Sequence, residues 1–329
     1  MSTEMVSTSP WTLSPAEGGE GLILTIYRLS PSTLHHLPHS SRIKDIQVRY
    51  PRDQVLEFDH LQHLVSAYPN IERLSLVAAG IKFDPRKPPL QQSQILHSSL
   101  KMLRLYFHEN SVALYCLLRC LIPSSKQTRI HAHGEFHDRQ NAYRIGAFLS
   151  LSMLRLDPFV SINWLSILQS SPLDGSATPY VQLQLGYCEE IGCVGQDPYR
   201  VITINDPGLH CLSRTFVEAP GIISQRSTSI KHVRIQIDEP VQMVHLLNAL
   251  KAVPNIISLA IVLRQNADLT DSIPRSPLPI LVARLPQLQE LTVQASRSDI
   301  RFQTRLDALD RLFGYIMFPD EAEVDYLLD

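Results

Sequence analysis

The chain has 329 residues, a formal charge of −2 from 30 basic and 32 acidic side chains, and a hydrophobic fraction of 44%. That apolar content is ample for a continuous core and excludes a disordered chain, while the near-balanced charge removes the basic field with which proteins grip nucleic-acid backbones. Five cysteines, an odd number behind an opening stretch with no secretory pattern, point to free thiols in an intracellular setting, cytoplasmic or nuclear, and the longest apolar run, residues 112–122, is interrupted by Arg119 and too short for a membrane span.

Residues 1–20 are rich in Ser, Thr, Pro, Gly and Glu, a composition that predicts a flexible N-terminal segment. Residues 21–27 (GLILTIY) read as a capping strand built on Leu24 and Ile26. From there the pattern apolar-x-x-apolar-x-apolar recurs. It is complete at Ile43/Ile46/Val48, Ile71/Leu74/Leu76, Leu100/Leu103/Leu105, Leu151/Leu154/Leu156, Tyr180/Leu183/Leu185, Tyr199/Ile202/Ile204, Ile230/Val233/Ile235, Ile256/Leu259/Ile261 and Leu288/Leu291/Val293, with a degenerate copy at Gln127/Ile130/Ala132. Successive copies start about 27 residues apart on average, inside the range of leucine-rich repeats.

Segments between the copies suit helices. Phe58, Leu61, Leu64, Val65 and Tyr68 share one helical face, as do Ala113, Cys116, Leu117, Cys120 and Leu121, then Trp164, Leu165 and Leu168, then Val241, Val244, Leu247 and Leu250. Pro69, Pro254 and Pro286 mark corners from helix to strand, because proline cannot continue a helix and biases its predecessor toward extended backbone. Residues 186–198 and 266–279 read as loops. Leu306, Leu309, Phe313 and Ile316 predict a closing helix over residues 301–318, followed by an acidic tail that is either a short cap or loose. The fold class that results is α/β: a leucine-rich-repeat-like solenoid of ten to eleven repeats over residues 21–300, with a curved parallel sheet, helices on its convex side, and residues 301–329 as C-terminal capping helix and tail.

Alternation along a strand sends the residues between the apolar ones to the opposite, concave face. The middle repeats would present Arg73, then Met102, Arg104 and Tyr106, then Arg129, His131 and His133, then Met153, Arg155 and Asp157, then Gln182 and Gln184. Parallel strands lie about 4.8 Å apart, so Arg104, His131 and Arg155 would be neighbours. Arg and Tyr are enriched at interface hot spots, which suggests a surface for an acidic or phosphorylated protein segment. A merely solvated strand face is the plainer alternative.

The phrases YPNIERLSL, SSLKMLRLYF, SLSMLRLD, VPNIISLAIVL and LPQLQELTV resemble the irregular leucine-rich repeats of fungal F-box-type proteins. The resemblance covers roughly residues 40–300. It implies a repeat arc that recruits a substrate for a ubiquitin ligase, with a Skp-type adaptor as second partner. The helical F-box module of that family has no counterpart before the first strand.

One segment suggests chemistry instead. In His131-Ala-His133-Gly-Glu135-Phe-His137-Asp138, paired histidines leaving a strand and followed by carboxylates could hold zinc and activate water, so His131, His133, His137 and Asp138 form the ligand set of an alternative metal-dependent hydrolase. The same spacing follows from two alternate positions on a strand, and Glu135-Phe136 stands where the metallo-β-lactamase pattern needs Asp-His. Cys188 and Cys193 read as free thiols, Cys116 and Cys120 as core, and His35, His36 and His39 as a solvated connection. No catalytic residues and no cofactor are predicted. A third reading, a scaffold acting through its loops, would make residues 189–196 the contact segment.

Overall fold

The computed structural model describes residues 9–16, 21–51, 53–84, 94–107, 117, 120–123, 128–135, 162–170, 180–187, 198, 200–205, 230–238, 240–264, 267–270, 282–295 and 302–328. The chain divides into two compact units, residues 1–135 and 136–329.

The first unit contains β1 (Trp11–Pro15), β2 (Leu22–Ile26), α1 (Pro31–His35), β3 (Ile43–Arg49), β4 (Val55–Glu57), α2 (Phe58–Ala67), β5 (Arg73–Ala78), β6 (Gly80–Lys82), β7 (Gln94–Leu96), β8 (Met102–Phe107), β9 (Leu121–Pro123) and β10 (Arg129–Glu135). Its main sheet runs β1-β2-β3-β5-β8-β10. From β2 onward the pairing is parallel, each strand lying on its predecessor in the chain, which is the path of a solenoid.

Register explains the repeat pattern. Leu24, Ile46, Leu74, Leu103 and Ile130 align as one column, and Ile26, Val48, Leu76, Leu105 and Ala132 as the next. Every member is buried, so the recurring apolar positions are the core. Each large one contributes about 1.5–3 kcal/mol by leaving water. A tight turn precedes several copies: the amides of Ile43, Ile71 and Leu100 donate to the carbonyls of Ser40, Tyr68 and His97.

The helical face expected around Phe58 is observed, with Phe58, Leu61, Leu64 and Val65 of α2 buried and Tyr68 capping its C-terminus. Two small parallel ladders, β4 with β6 and β7 with β9, lie outside the main sheet. In the opening segment expected to be flexible, residues 11–15 instead form β1, antiparallel to β2. Leu13 stays 40% exposed there, so backbone pairing and not burial orders it.

At the strand starts Glu72 is bracketed by two lysines, Lys101 Nζ at 2.6 Å and Lys44 Nζ at 3.6 Å. The Lys101 hydrogen bond, above all, lowers the Glu72 pKa. A folded-state pKa below the unfolded one adds stability that is present above the unfolded pKa and lost as pH falls through the folded value. Glu72→Gln should therefore cost about 0.5 kcal/mol at neutral pH, as surface ion pairs do. Urea unfolding at neutral pH and in acid checks this: the gap between variant and wild type should close in acid, and an equal gap at both would disprove the ionic origin.

The second unit contains β11 (Trp164–Ser170), β12 (Tyr180–Gly186), β13 (Arg200–Asn205), β14 (His232–Ile237), β15 (Pro240–Gln242), α3 (Met243–Lys251), β16 (Ser258–Leu263), β17 (Asp268–Thr270), β18 (Ala283–Arg284), β19 (Glu290–Ala295), α4 (Phe302–Phe313), β20 (Ile316–Met317) and β21 (Glu323–Leu328). The order is β13-β12-β11-β14-β16-β19-β21. The strands β11, β14, β16, β19 and β21 are parallel, stacking Leu165, Val233, Leu259 and Leu291 in one column and Ile167, Ile235, Ile261 and Val293 in the next.

Three expectations need correction here. Trp164 to Ser170 is a strand, not a helix, and Ile162/Leu165/Ile167 is a further buried copy of the pattern. The copies at Tyr180 and Tyr199 are strands, but β12 is antiparallel to both β11 and β13, so they do not continue the coil. The closing helix, expected to reach residue 318, ends at Phe313; the acidic tail takes the ordered one of its two expected forms, as β21 against β19. The copy at Leu151 lies outside the described residues.

Both units are thus parallel-sheet solenoids, and the coarse expectation holds. Helices are fewer than one per turn: four among the described residues. Of the short ladders, β15 with β17 and β18 with β20, the strands β15 and β20 fall where helices were expected, and β17 falls in the segment 266–279 expected to be a loop. No helix among the described residues is long and apolar enough to cross a membrane.

Candidate protein-docking face

Opposite the core columns of the first unit, the sheet carries three rows of side chains. One row aligns Asp45, Arg73, Met102 and Arg129; the next Gln47, Ser75, Arg104 and His131; the last Arg49, Val77, Tyr106 and His133. Strict alternation fixes this placement, because the intervening residues all point into the core. Arg49, Arg73 and Arg104 are exposed, whereas Met102, Tyr106, Arg129, His131 and His133 are half-buried.

Six residues expected on one face, Arg73, Arg104, Tyr106, Arg129, His131 and His133, therefore share it, and Arg104 and His131 are direct register partners. Tyr106 and His133 stack, with ring centroids 3.9 Å apart and planes 16° from parallel. Arg155, Asp157 and Met153 lie outside the described residues, as do His137 and Asp138. Gln182 and Gln184 belong to the second unit. They hold each other and Thr203 by amide hydrogen bonds of 2.7 and 3.2 Å.

Sequence reasoning missed Asp45, Gln47 and Arg49, although the same alternation rule applied to the copy at Ile43 gives all three. They form a relay along β3. Arg49 donates to Gln47 Oε1 at 2.7 Å, and the Gln47 side chain hydrogen-bonds the Asp45 carboxylate. Burial pushes the Asp45 carboxyl above its ordinary value, and Arg73, the Gln47 hydrogen bond, Arg104 and Arg49 pull it back only in part.

Arg73 and Arg104 are the uncommitted cations of this face. Among the described residues, neither makes a hydrogen bond or an ion pair; their one partner is the field of Asp45. An exposed guanidinium with unspent donors in a rigid fork can take a carboxylate in bidentate fashion.

The corresponding face of the second unit differs. Trp164, Ser166, His232 and Ser258 are buried there, so it is covered at those positions. Burial and then Lys231 lower the His232 pKa, and burial takes Arg200 down to about 10.

Among the described residues no group of three or more His, Cys, Asp and Glu is placed to hold a metal ion. A cavity of about 310 Å³ in the first unit lies beside His39 and Tyr68. The Tyr68 hydroxyl donates to the Pro38 carbonyl at 2.9 Å and is pushed up to about 12 by burial, so it is no nucleophile. His35, His36 and His39 are exposed, in keeping with a solvated connection, and Cys120 is buried.

Comparison with family models, with curated proteins and with solved structures gives no match in any of the three.

Proposed function

We propose that the exposed strand face spanning Arg73, Arg104 and Tyr106 docks an acidic segment of a partner protein, and that the chain is a non-enzymatic binding module. The observation that carries this is the pair of exposed, uncommitted guanidiniums on neighbouring strands, beside a stacked aromatic pair. Arg and Tyr are the anchors most enriched at interface hot spots, and an acidic segment is the partner whose charge complements the face. In the finer version, the solenoid is a leucine-rich-repeat receptor of ten to eleven repeats that presents substrate to an F-box type ubiquitin ligase through a Skp-type adaptor. That version rests on the resemblance of the repeat phrases. The metallohydrolase alternative draws on His131 and His133 alone among the described residues, and stacking of His133 on Tyr106 speaks for the docking role.

The test is fluorescence anisotropy with a labelled, acid-rich peptide against wild type and Arg73→Glu/Arg104→Glu. Two charge reversals should weaken binding by about 30-fold or more, since like charges across an interface cost several kcal/mol. Binding to wild type should also fall steeply with salt, because exposed charges are screened. Unchanged affinity in a folded double variant would sink the proposal, and a purified Skp-type adaptor that fails to bind wild type would remove the ligase setting alone.

A further inference from the structure

We infer that Asp45 is a built-in competitor on this face: a carboxylate of the protein's own that partly neutralises the arginine patch and restricts docking to segments with two acidic side chains in alternate positions. The inference rests on the docking reading and deepens it by naming the partner's chemistry.

Three observations carry it. Asp45 stands in the same row as Arg73, one strand away, so its carboxylate occupies the flank that an incoming anion would use. It is held there: Gln47 hydrogen-bonds it and is itself held by Arg49, so the carboxylate is positioned and not a loose surface acid. Finally, Arg73, Arg104 and Arg49 are the cations whose fields reach it.

The three guanidiniums that reach Asp45, set against its one carboxylate, leave two positive charges on this part of the face, and Arg129 lies two strands beyond Arg73 in the row. A partner with one acidic group meets that patch with a charge unbalanced and with Asp45 repelling it. One with two acidic groups balances it. Geometry selects their spacing, because Arg73 and Arg104 sit on adjacent strands and one row apart. Strands about 4.8 Å apart and two residues of about 3.3 Å each put their Cα atoms about 8 Å from one another. Carboxylates at positions i and i+2 of an extended segment are separated by about 7 Å and can reach both. Specificity of this kind comes from a repulsive element as much as from an attractive one. That also gives a reason for keeping a half-buried carboxylate where burial opposes its charge.

The experiment uses the full chain and two labelled peptides in a Gly/Ser background, one with a single Glu and one with Glu at i and i+2. Anisotropy is read at low ionic strength for wild type, Asp45→Asn, Asp45→Ser and Arg73→Glu/Arg104→Glu, each checked for folding by its thermal transition. Wild type should prefer the two-acid peptide. Both Asp45 variants should tighten the single-acid peptide by about fivefold, the upper range for an exposed charge pair, and the two-acid peptide by at least as much, because Asp45 repels every acidic group that docks. A single-acid peptide that binds no more tightly to either Asp45 variant than to wild type overturns the inference and leaves the docking reading standing, provided the arginine double variant still loses both peptides. If wild type and the Asp45 variants bind neither peptide, the docking reading falls and the inference goes with it.

Discussion

Phe58→Ala should destabilise the protein by about 3–5 kcal/mol, the range for removing a buried aromatic ring. Phe58 is fully buried at the start of α2, and its ring lies 4.9 Å from that of Phe83, tilted by 35°. The helix depends on this anchor more than most would. It has ten residues, too few to be stable alone, and Glu57 gives it no side-chain cap. Its order comes from the face formed by Phe58, Leu61, Leu64 and Val65. Amide exchange should therefore quicken first in α2. Phe83→Ala, at a half-buried position, should cost less. Denaturant unfolding gives the sizes, and a loss below about 1 kcal/mol for Phe58→Ala would mean that the site collapses around the gap.

The same physics decides how much of the molecule was legible in the sequence. Strands β3, β5, β8, β14, β16 and β19 were readable because each repeats one burial rule, and their apolar columns are the core. The strand β11 was misread because Leu165 and Leu168 have helical spacing while Ile162, Leu165 and Ile167 have the strand pattern; a short apolar run satisfies both periods. The direction of β12 was invisible, since Val181, Leu183 and Leu185 alternate identically whichever way the chain runs. The strand β1 was missed because it buries little, so no apolar signal marks it. On the candidate face, Arg73, Arg104 and Tyr106 followed from alternation alone. What alternation could not give was the state of each cation: that Arg73 and Arg104 are uncommitted and that Gln47 fixes Asp45 depends on rotamers, which periodicity does not encode.

Gly186→Ala should cost about 3 kcal/mol, the upper range for overpacking, although it adds one methyl group. Gly186 ends β12 directly opposite Trp164 of β11. A Cβ built on it would sit 2.5, 2.6 and 2.7 Å from Cζ2, Cε2 and Nε1 of the indole. Backbone conformation is not the reason for the glycine, because its φ is not in the left-handed region; the reason is space. Exposed side chains can swing away from such a contact. Trp164 is fully buried on the face of β11 opposite Leu165 and Ile167, so its ring has no solvent to swing into and must displace the atoms packed around it. Its Nε1 also lacks a hydrogen-bond partner among the described residues, so the indole is held by packing alone. A double-mutant cycle isolates the clash. Trp164→Leu should destabilise by itself through lost packing, yet Gly186→Ala added to it should cost little further, because the ring it would strike is gone. If the two losses instead simply add, the contact between this glycine and the indole is not what constrains the position.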